Sequence, residues 1–510
     1  MDCSKFAKDF PNGFLEKWFL SILILIAAFF SFYKLTVYDL WYDEAVNFFM
    51  AKSLRFPPYL CLPRLYYWAL HFFIKFKENE YFLRLPSAIL GTVVVPLFYL
   101  LVKKLSDTST AIISSLFLTI SPLRIWYSQE ASVHIFALFL SVLSTYSFLL
   151  FIQKANLKRA LFLFFSNLLA LSISYHSLLL LVLQFLFLVI FRDRFSPKIL
   201  KYYLFVLLGV FGFYGLHWIL LINSLRFLKS GFWIPEVNWL NLKYSIENFI
   251  LGYNGTSLLY NISFLLFLTS LGLILWRKKM NLDVVFGVIF GLLPLLMVWV
   301  LHRFFIPVYL DRHNMIFMPP IYFLMGLSCT ILRKKGRKVI FVSAYLFLMA
   351  KALSLYENNS VSTPLEHHIG VYERKNIRPV VEFIKNCALS EDIVAHTNPV
   401  TRAPFGYYWR EKKQYIFVAK LDPYWRRVWK LTSSHTPFSN LKKRIICVDT
   451  FEDWNGLGNR IWIVAATWAR DNQVDENGQY VEDALIHKGY KETLVRKING
   501  VIVKLFERKS

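Results

Sequence analysis

Two adjacent carboxylates, Asp43 and Glu44, follow the first long apolar segment of the chain within the aromatic sequence Leu40-Trp-Tyr-Asp-Glu-Ala45. Carboxylates are costly to place close to hydrocarbon, so this position indicates a function. A carboxylate can take the proton of an attacking hydroxyl. Neighbouring helical residues point in different directions, so we expect one acid to act as base and the other to position the acceptor or the loop. The structural alternative is that both acids stabilise the start of a helix over residues 45–54.

Other polar side chains recur near the ends of the apolar segments, and most can be placed on the same side of the membrane as Asp43. They are Arg84, Gln129, Glu130, His134, Arg312 and His313, with Trp41 as an aromatic neighbour. A carboxylate and cations on one side of a membrane suit the transfer of a sugar from a lipid phosphate. Arginines stabilise the departing phosphate in such a transfer through charged hydrogen bonds, so we predict that Arg84 and Arg312 bind the phosphate of the donor. We predict a catalytic role for Asp43, Glu44 and Glu130. Trp41, Gln129, His134 and His313 are predicted to contact the acceptor or the sugar.

Each of these residues also has a structural interpretation. Arg84 opens a span and can anchor it at the lipid headgroups, and Glu130 can form a salt bridge to Arg124. His134 can be a packed polar residue, and no metal-ligand spacing links the histidines. Trp41 can belong to the interfacial aromatic belt, although it can also stack on a sugar.

The composition excludes an ordinary soluble enzyme. Of the 510 residues, 56% are apolar and 49 are Phe, and the apolar runs repeat at membrane-spanning length. The net charge of +25 could suggest nucleic acid, but much of the positive charge lies in short clusters between apolar segments, as in cytoplasmic loops. The five cysteines are scattered, so they indicate neither a disulfide framework nor a metal site.

The clusters of Lys and Arg define the membrane topology. Five of them fall on one side when the chain crosses eleven times, which predicts eleven transmembrane helices with the N-terminus cytoplasmic and the C-terminus outside. The third predicted span covers about residues 109–120, the fifth and sixth form a tight pair about Tyr175-His176, and the seventh covers residues 202–222. Residues 1–355 form the predicted transmembrane domain. Its first outer loop, residues 36–84, carries the acidic pair, and an aromatic run within it is too short to cross, which favours helices lying in the interface.

Beyond residue 355 the composition becomes that of a soluble domain. Residues 356–510 contain a helical pattern that starts at Val380 and four short β-rich runs, followed by a hairpin signal at Asn499-Gly500. We predict a small extracytoplasmic α/β domain. It has no Gly-rich phosphate loop after a strand, so a nucleotide-driven role is unsupported.

Three motifs resemble, in order, those of GT-C glycosyltransferases, and most closely the group of protein mannosyltransferases and lipid A aminoarabinose transferases. They are Leu40-Trp-Tyr-Asp-Glu-Ala, Tyr81-Phe-Leu-Arg-Leu-Pro-Ser-Ala and Ser121-Pro-Leu-Arg-Ile-Trp-Tyr-Ser-Gln-Glu-Ala, with a later match at Tyr309-Leu-Asp-Arg-His. The resemblance covers roughly residues 15–330. It differs at Ser132, where the family often has Arg, and at His134 and His313, where Tyr is usual.

The resemblance implies a GT-C fold, a polyprenyl-phosphate sugar donor, an outward-facing cavity and transfer with inversion. It makes Asp43 the candidate base. Several relatives work without a metal, so we predict no cofactor; a divalent metal is not indicated.

The sequence therefore predicts a multi-pass glycosyltransferase of the plasma (inner) membrane. Its acceptor is a lipid, a glycan or a protein hydroxyl on the outer face, and its partners include membrane lipids but no nucleic acid. The alternatives are a transporter or flippase of lipid-linked glycans and a scaffold without activity. Transporters tend to place charged residues near the bilayer midplane, whereas the spans here are almost free of charge in their interior.

Overall fold

The computed structural model describes most of the chain. The residues described are 13–54, 64–215, 222, 234–278, 281–356, 367, 371, 376–418, 445–447, 458–466 and 476–508. Residues 55–63 of the predicted first outer loop and residues 216–221 of the predicted seventh span lie outside this set.

The N-terminal two thirds of the described chain are helical. The helices are α1 Gly13–Phe32, α2 Tyr42–Ser53, α3 Arg64–Ile74, α4 Glu80–Leu105, α5 Thr108–Thr119, α6 Pro122–Ser128, α7 Val133–Gln153, α8 Leu157–Ile173, α9 Ser177–Ile190, α10 Pro197–Gly215, α11 Leu240–Leu251, α12 Ser257–Lys278, α13 Leu282–Gly287, α14 Leu293–Phe304, α15 Asp311–Asn314, α16 Met318–Ile331 and α17 Lys335–Tyr356. Helices α13 and α14 are joined by a π-helical turn, Val288–Leu292.

Eight helical segments in the described chain are long and apolar enough to cross a membrane, and a ninth span is formed if α5 and α6 are counted as one bent helix. The polytopic architecture is confirmed, whereas the predicted count of eleven is not. The predicted third span reaches this length only together with α6, which is bent by 57° from α5 at Ser121-Pro122. The predicted fifth and sixth spans correspond to α8 and α9, which have only 17 and 14 residues.

Burial separates central from peripheral spans. The segment Asp311–Ile331 is 83% buried, whereas Phe14–Phe32 is 17% buried and leaves large apolar side chains such as Leu25 exposed. Apolar side chains on an outer face are expected where lipid is the solvent. The segment that begins at Asp311 therefore lies in the middle of the helical bundle.

The segment that carries the acidic pair folds as a short helix, α2. Its N-cap, Trp41, has an extended backbone, and Asp43 and Glu44 lie in the first turn, where negative charge is favourable. The helix ends at Leu54, which adopts a left-handed conformation with φ of 50°. The described part of the first outer loop thus contains two helices, α2 and α3.

The C-terminal region forms a six-stranded mixed sheet with three helices. Its elements are α18 Arg378–Cys387, β1 Ile393–His396, α19 Pro399–Tyr408, β2 Gln414–Val418, β3 Ile445–Cys447, β4 Arg460–Ala466, α20 Glu476–His487, β5 Tyr490–Ile498 and β6 Val501–Arg508. The strand order is β3-β2-β1-β4-β6-β5, with parallel pairing up to β4 and antiparallel pairing beyond it. Asn499 and Gly500, both with positive φ, make the turn of the predicted hairpin.

Candidate active site

Asp43 and Arg312 meet although 269 residues separate them. Helix α2 presents Asp43, and α15, at the start of a central span, presents Arg312. Arg312 Nη1 donates to Asp43 Oδ2 at 3.3 Å. The Asp43 side chain is 39% exposed and that of Arg312 is 12% exposed. This pair combines an accessible carboxylate with a neighbouring cation.

The surroundings of Asp43 make it a better proton acceptor than an ordinary aspartate. Partial burial raises the pKa of Asp43, because the surrounding protein replaces much of the water that would stabilise the charged form. The Arg312 guanidinium acts in the opposite direction, and the Glu44 carboxylate raises the pKa further. The phenols of Tyr66 and Tyr67 in α3 lie near enough to respond to the charge of Asp43. Their pKa values are raised mainly by burial and additionally by this charge.

Glu44 is fully buried and forms a bidentate ion pair with Arg84. The Nε and Nη2 atoms of Arg84 donate to the two carboxylate oxygens of Glu44 at 2.7 and 2.6 Å, and the two side chains are 1% and 0% exposed. Arg84 also donates to the backbone carbonyls of Leu35, Tyr38 and Asp39 at 2.7–3.2 Å. All five N–H groups of the guanidinium are therefore directed at acceptors within the protein.

This geometry argues against the phosphate contact predicted for Arg84. The donors of its guanidinium are all occupied, and its side chain is 1% exposed. Arg84, in α4, instead holds the segment before α2 through its backbone carbonyls. Its ion pair with Glu44 connects α4 to α2 itself. Glu44 Oε1 also accepts from the backbone N–H of Ala131 at 2.8 Å. These contacts favour the positioning role over that of a base for Glu44, and this role stays a prediction.

Glu130 is also buried, and it lies near enough to Arg312 to interact with its charge. Its carboxylate accepts from Trp126 Nε1 at 3.0 Å, and the side chain is 2% exposed. The salt bridge to Arg124 that the sequence suggested does not form in the described chain. Arg124 donates to Ser31 Oγ and to the carbonyls of Gly91, Leu118 and Thr119 instead. Glu130 therefore stays near the site through α6.

Gln129 connects the first and the last span of the helical region. Its Nε2 donates to the carbonyls of Phe30 and Tyr33 at 2.7 and 3.0 Å, and its Oε1 accepts from the hydroxyl of Tyr356 at 2.8 Å. The side chain is 5% exposed. These contacts argue against the predicted contact of Gln129 with a sugar, because the amide already serves the first and last spans.

Trp41 retains a donor for which the described chain offers no acceptor. The indole Nε1 is buried without a hydrogen-bond partner there. Buried donors are nearly always paired in native proteins. Two residues from Asp43, this N–H is suited to a sugar or phosphate oxygen, as the predicted contact requires.

Three imidazoles converge next to Arg312. The ring of His313 lies 5.3 Å from His134 and 5.3 Å from His176, measured between ring centroids, and Tyr127 packs against His134 at 5.0 Å. Burial lowers the pKa of His176 to about 4, so this imidazole is neutral at physiological pH. The predicted residues His134 and His313 thus lie together. His176 completes the group, and nothing in the sequence links it to the other two.

In the described chain, no group of three or more His, Cys, Asp or Glu side chains has the geometry to hold a metal ion. The absence of a metal cofactor stays a prediction.

Comparisons with known proteins show which fold the chain has. Residues 62–218 match the family model described as dolichyl-phosphate-mannose-protein mannosyltransferase. Among solved structures, the chain is similar to ArnT from Cupriavidus metallidurans in the apo state, with 10% identity, a TM-score of 0.67, and coverage of 96% of this chain and 98% of that chain. The structure of ArnT bound to undecaprenyl phosphate gives 11% identity, a TM-score of 0.63 and coverage of 97% and 98%.

The similarity extends to a third structure. The Archaeoglobus fulgidus oligosaccharyltransferase tethered to an acceptor peptide matches with 11% identity and a TM-score of 0.50, over 98% of this chain and 74% of that chain. Among curated protein sequences, none matches this chain significantly.

The fold is that of the GT-C glycosyltransferases, and the resemblance predicted from the motifs is confirmed. The chain is a multi-pass membrane protein with an ArnT-like helical domain and a small C-terminal sheet.

Proposed function

We propose that this protein transfers a sugar from a polyprenyl-phosphate donor to an acceptor hydroxyl on the outer face of the membrane, with inversion. The observation that carries the proposal is the pair formed by Asp43 and Arg312, in which an accessible carboxylate lies 3.3 Å from a guanidinium. A base and a phosphate-stabilising cation are the two groups that such a transfer requires.

In the proposed step, the Asp43 carboxylate takes the proton of the acceptor hydroxyl. The hydroxyl oxygen forms a bond to the anomeric carbon as the bond from that carbon to the phosphate oxygen breaks. The electron pair of the broken bond leaves with the polyprenyl phosphate, and Arg312 stabilises the anion through charged hydrogen bonds. A single direct displacement inverts the anomeric carbon.

A lipid-linked donor is supported by the family description, which names a dolichyl-phosphate sugar, and by the ArnT structure with undecaprenyl phosphate. Our candidates for contacts with the sugar or the phosphate are Trp41, whose indole N–H has no partner in the described chain, and the three histidines next to Arg312. We leave the acceptor open among lipid, glycan and protein hydroxyls, because the similar structures include a complex with an acceptor peptide and a lipid-bound form.

The proposed orientation follows from helix α4. Arg84 near its start and Lys103-Lys104 near its end are 19 residues apart, which is roughly 29 Å along a helix and close to the thickness of the hydrocarbon core. Positive charge favours the cytoplasmic side, so the end of α4 that carries Lys103-Lys104 is cytoplasmic. The start of α4, where Arg84 pairs with Glu44 next to Asp43, then faces outward. The N-terminus is then cytoplasmic and the C-terminal domain extracytoplasmic, in a plasma (inner) membrane.

The test measures sugar transfer by purified protein in proteoliposomes. The donors are a panel of radiolabelled polyprenyl-phosphate pentoses and hexoses, and the acceptors are lipids, glycans and peptides. The proposal expects label on one acceptor class, and a rate of labelling at least about a hundredfold lower with Asp43→Asn. Absence of transfer from every donor, together with movement of lipid-linked glycans across the bilayer, would favour a flippase instead.

Replacing Arg312 by glutamine is expected to lower kcat/KM for the donor about 10- to 100-fold, since hydrogen bonds to charged groups contribute about 1.5–3 kcal/mol. It also removes the cation that lowers the pKa of Asp43. The acid limb of the pH–rate profile should therefore move to higher pH, because Asp43 then stays protonated over a wider range.

The matched control is Arg303→Gln, which removes an exposed arginine paired with Glu236 at 2.8 Å. It should leave both the rate and the limb unchanged. An Arg312→Gln protein with the donor KM and pH profile of the wild type would exclude Arg312 from the phosphate site.

A further inference from the structure

The C-terminal domain makes direct contact with the segment that precedes the catalytic helix. The backbone N–H of Arg378, the first residue of α18, donates to Asp39 Oδ2 at 2.7 Å, and its guanidinium lies 3.3 Å from Asp39 Oδ1. The same guanidinium donates to Glu80 Oε1 at 2.7 Å. Arg378 therefore joins the segment before α2 to the first turn of α4.

A second contact involves the neighbouring residue of that segment. The backbone N–H of Leu40 donates to the hydroxyl of Tyr408, at the end of α19, at 2.9 Å. The guanidinium of Arg378 lies 4.9 Å from the centre of the Tyr408 ring, which links the two contacts.

The same C-terminal helix also packs against the body of α2. The ring of Tyr407 meets that of Phe48 edge to face at 4.8 Å, and both side chains are buried. Arg410 lies 4.8 Å above the Phe48 ring and forms an ion pair with Glu78. Helix α2 is thus covered by the C-terminal domain along one side.

These contacts act on the residues that set the position of the base. Asp39 and Leu40 come directly before the N-cap of α2, and Asp43 follows in its first turn. From the membrane side, Arg84 holds the carbonyls of Leu35, Tyr38 and Asp39. The segment is therefore fixed between Arg84 on one side and Arg378 with Tyr408 on the other.

We propose that the C-terminal domain is a functional part of the active site, in which Arg378 and Tyr408 are positioning residues that hold Asp43 in place relative to Arg312. The inference rests on the proposed function. A loss of alignment of about 1 Å can lower a rate about a hundredfold, so this interface is expected to control kcat although it lies outside the reacting atoms.

The test uses full-length protein with Arg378→Gln and Tyr408→Phe, each with a matched control in the same domain. Arg460→Gln removes an arginine that pairs with Asp392 and Glu507, and Tyr490→Phe removes a hydroxyl that donates to the carbonyl of Gly458. The interface variants should lower kcat tenfold or more with donor KM within twofold, while the controls keep wild-type values. Arg378→Lys, which retains the charge, should recover most of the rate.

The pH profile separates positioning from a general loss of structure. If Asp43 moves away from Arg312, the cation no longer lowers its pKa, and the acid limb of the interface variants should shift to higher pH. The titratable or charged groups near Asp43 are Glu44 in α2, Tyr66 and Tyr67 in α3 and Arg312 in α15. Folded interface variants with an unchanged kcat and an unchanged limb would overturn the proposal.

A second readout does not require transfer activity. In a variant with Asp43→Cys and the five native cysteines replaced, the rate of labelling by a membrane-impermeant maleimide reports how firmly residue 43 is held. Arg378→Gln and Tyr408→Phe should change that rate severalfold relative to Arg460→Gln and Tyr490→Phe. An unchanged rate overturns the positioning role, whereas failure of transfer by the wild type overturns only the proposed function.

Discussion

Replacing Asp43 by asparagine is expected to lower the rate of sugar transfer about 10²- to 10⁴-fold, which is the usual contribution of a general base. The substitution preserves the size of the side chain and its hydrogen bonding but removes its capacity to take a proton. Donor binding should persist, because Arg312 and Trp41 are untouched. Single-turnover transfer of a radiolabelled sugar measures the chemical step separately from binding.

Two variants define the limits of this prediction. Asp43→Glu keeps the carboxylate but displaces it, so we expect an intermediate loss. Asp193→Asn changes a carboxylate that is 92% exposed, and it should leave the rate unchanged. Transfer by Asp43→Asn at the wild-type rate would remove the base from the mechanism.

Replacing Glu44 by glutamine is expected to lower the free energy of unfolding by about 3–5 kcal/mol, because it leaves the charge of Arg84 buried and without its counter-ion. Both side chains are at most 1% exposed, so water cannot replace the lost interaction. A denaturant titration in detergent micelles measures the change. The activity lost with this variant should follow the loss of folded protein.

The control is Glu236→Gln, which breaks an ion pair of the same residue types at an exposed site, where Glu236 is 90% exposed. Surface pairs contribute little, so its titration should match that of the wild type. An equally stable Glu44→Gln protein without activity would contradict the structural role and return Glu44 to the catalytic group.

Local patterns predicted the elements of the C-terminal region well. The hairpin at Asn499-Gly500 and the strands beginning near Ile393 and Arg460 depend on turn chemistry and on β-rich runs, which are properties of neighbouring residues. The predicted count of eleven spans is not confirmed. Apolar length alone does not show a bend, and the 57° bend between α5 and α6 separates the predicted third span from the helix that follows it.

The candidate site was predicted in part. The structure brings Asp43 and Arg312 into contact, while their roles stay a prediction. The sequence assigned similar roles to Arg84 and Arg312, because each is an arginine near the start of a span. Only the structure distinguishes them, since one is 1% exposed with every donor occupied and the other is 12% exposed beside the base. The contact of Arg378 with Asp39 spans 339 residues, so no local pattern could indicate it.

The pH dependence of kcat/KM for wild-type protein tests the central claim most directly, because it reports the titration of the base in the free enzyme. Burial raises the pKa of Asp43, so the rate should fall with decreasing pH in an acid limb that lies above the range of an ordinary aspartate. The residual transfer by Asp43→Asn should lack this limb. A limb that persists unchanged in Asp43→Asn would show that another group takes the proton.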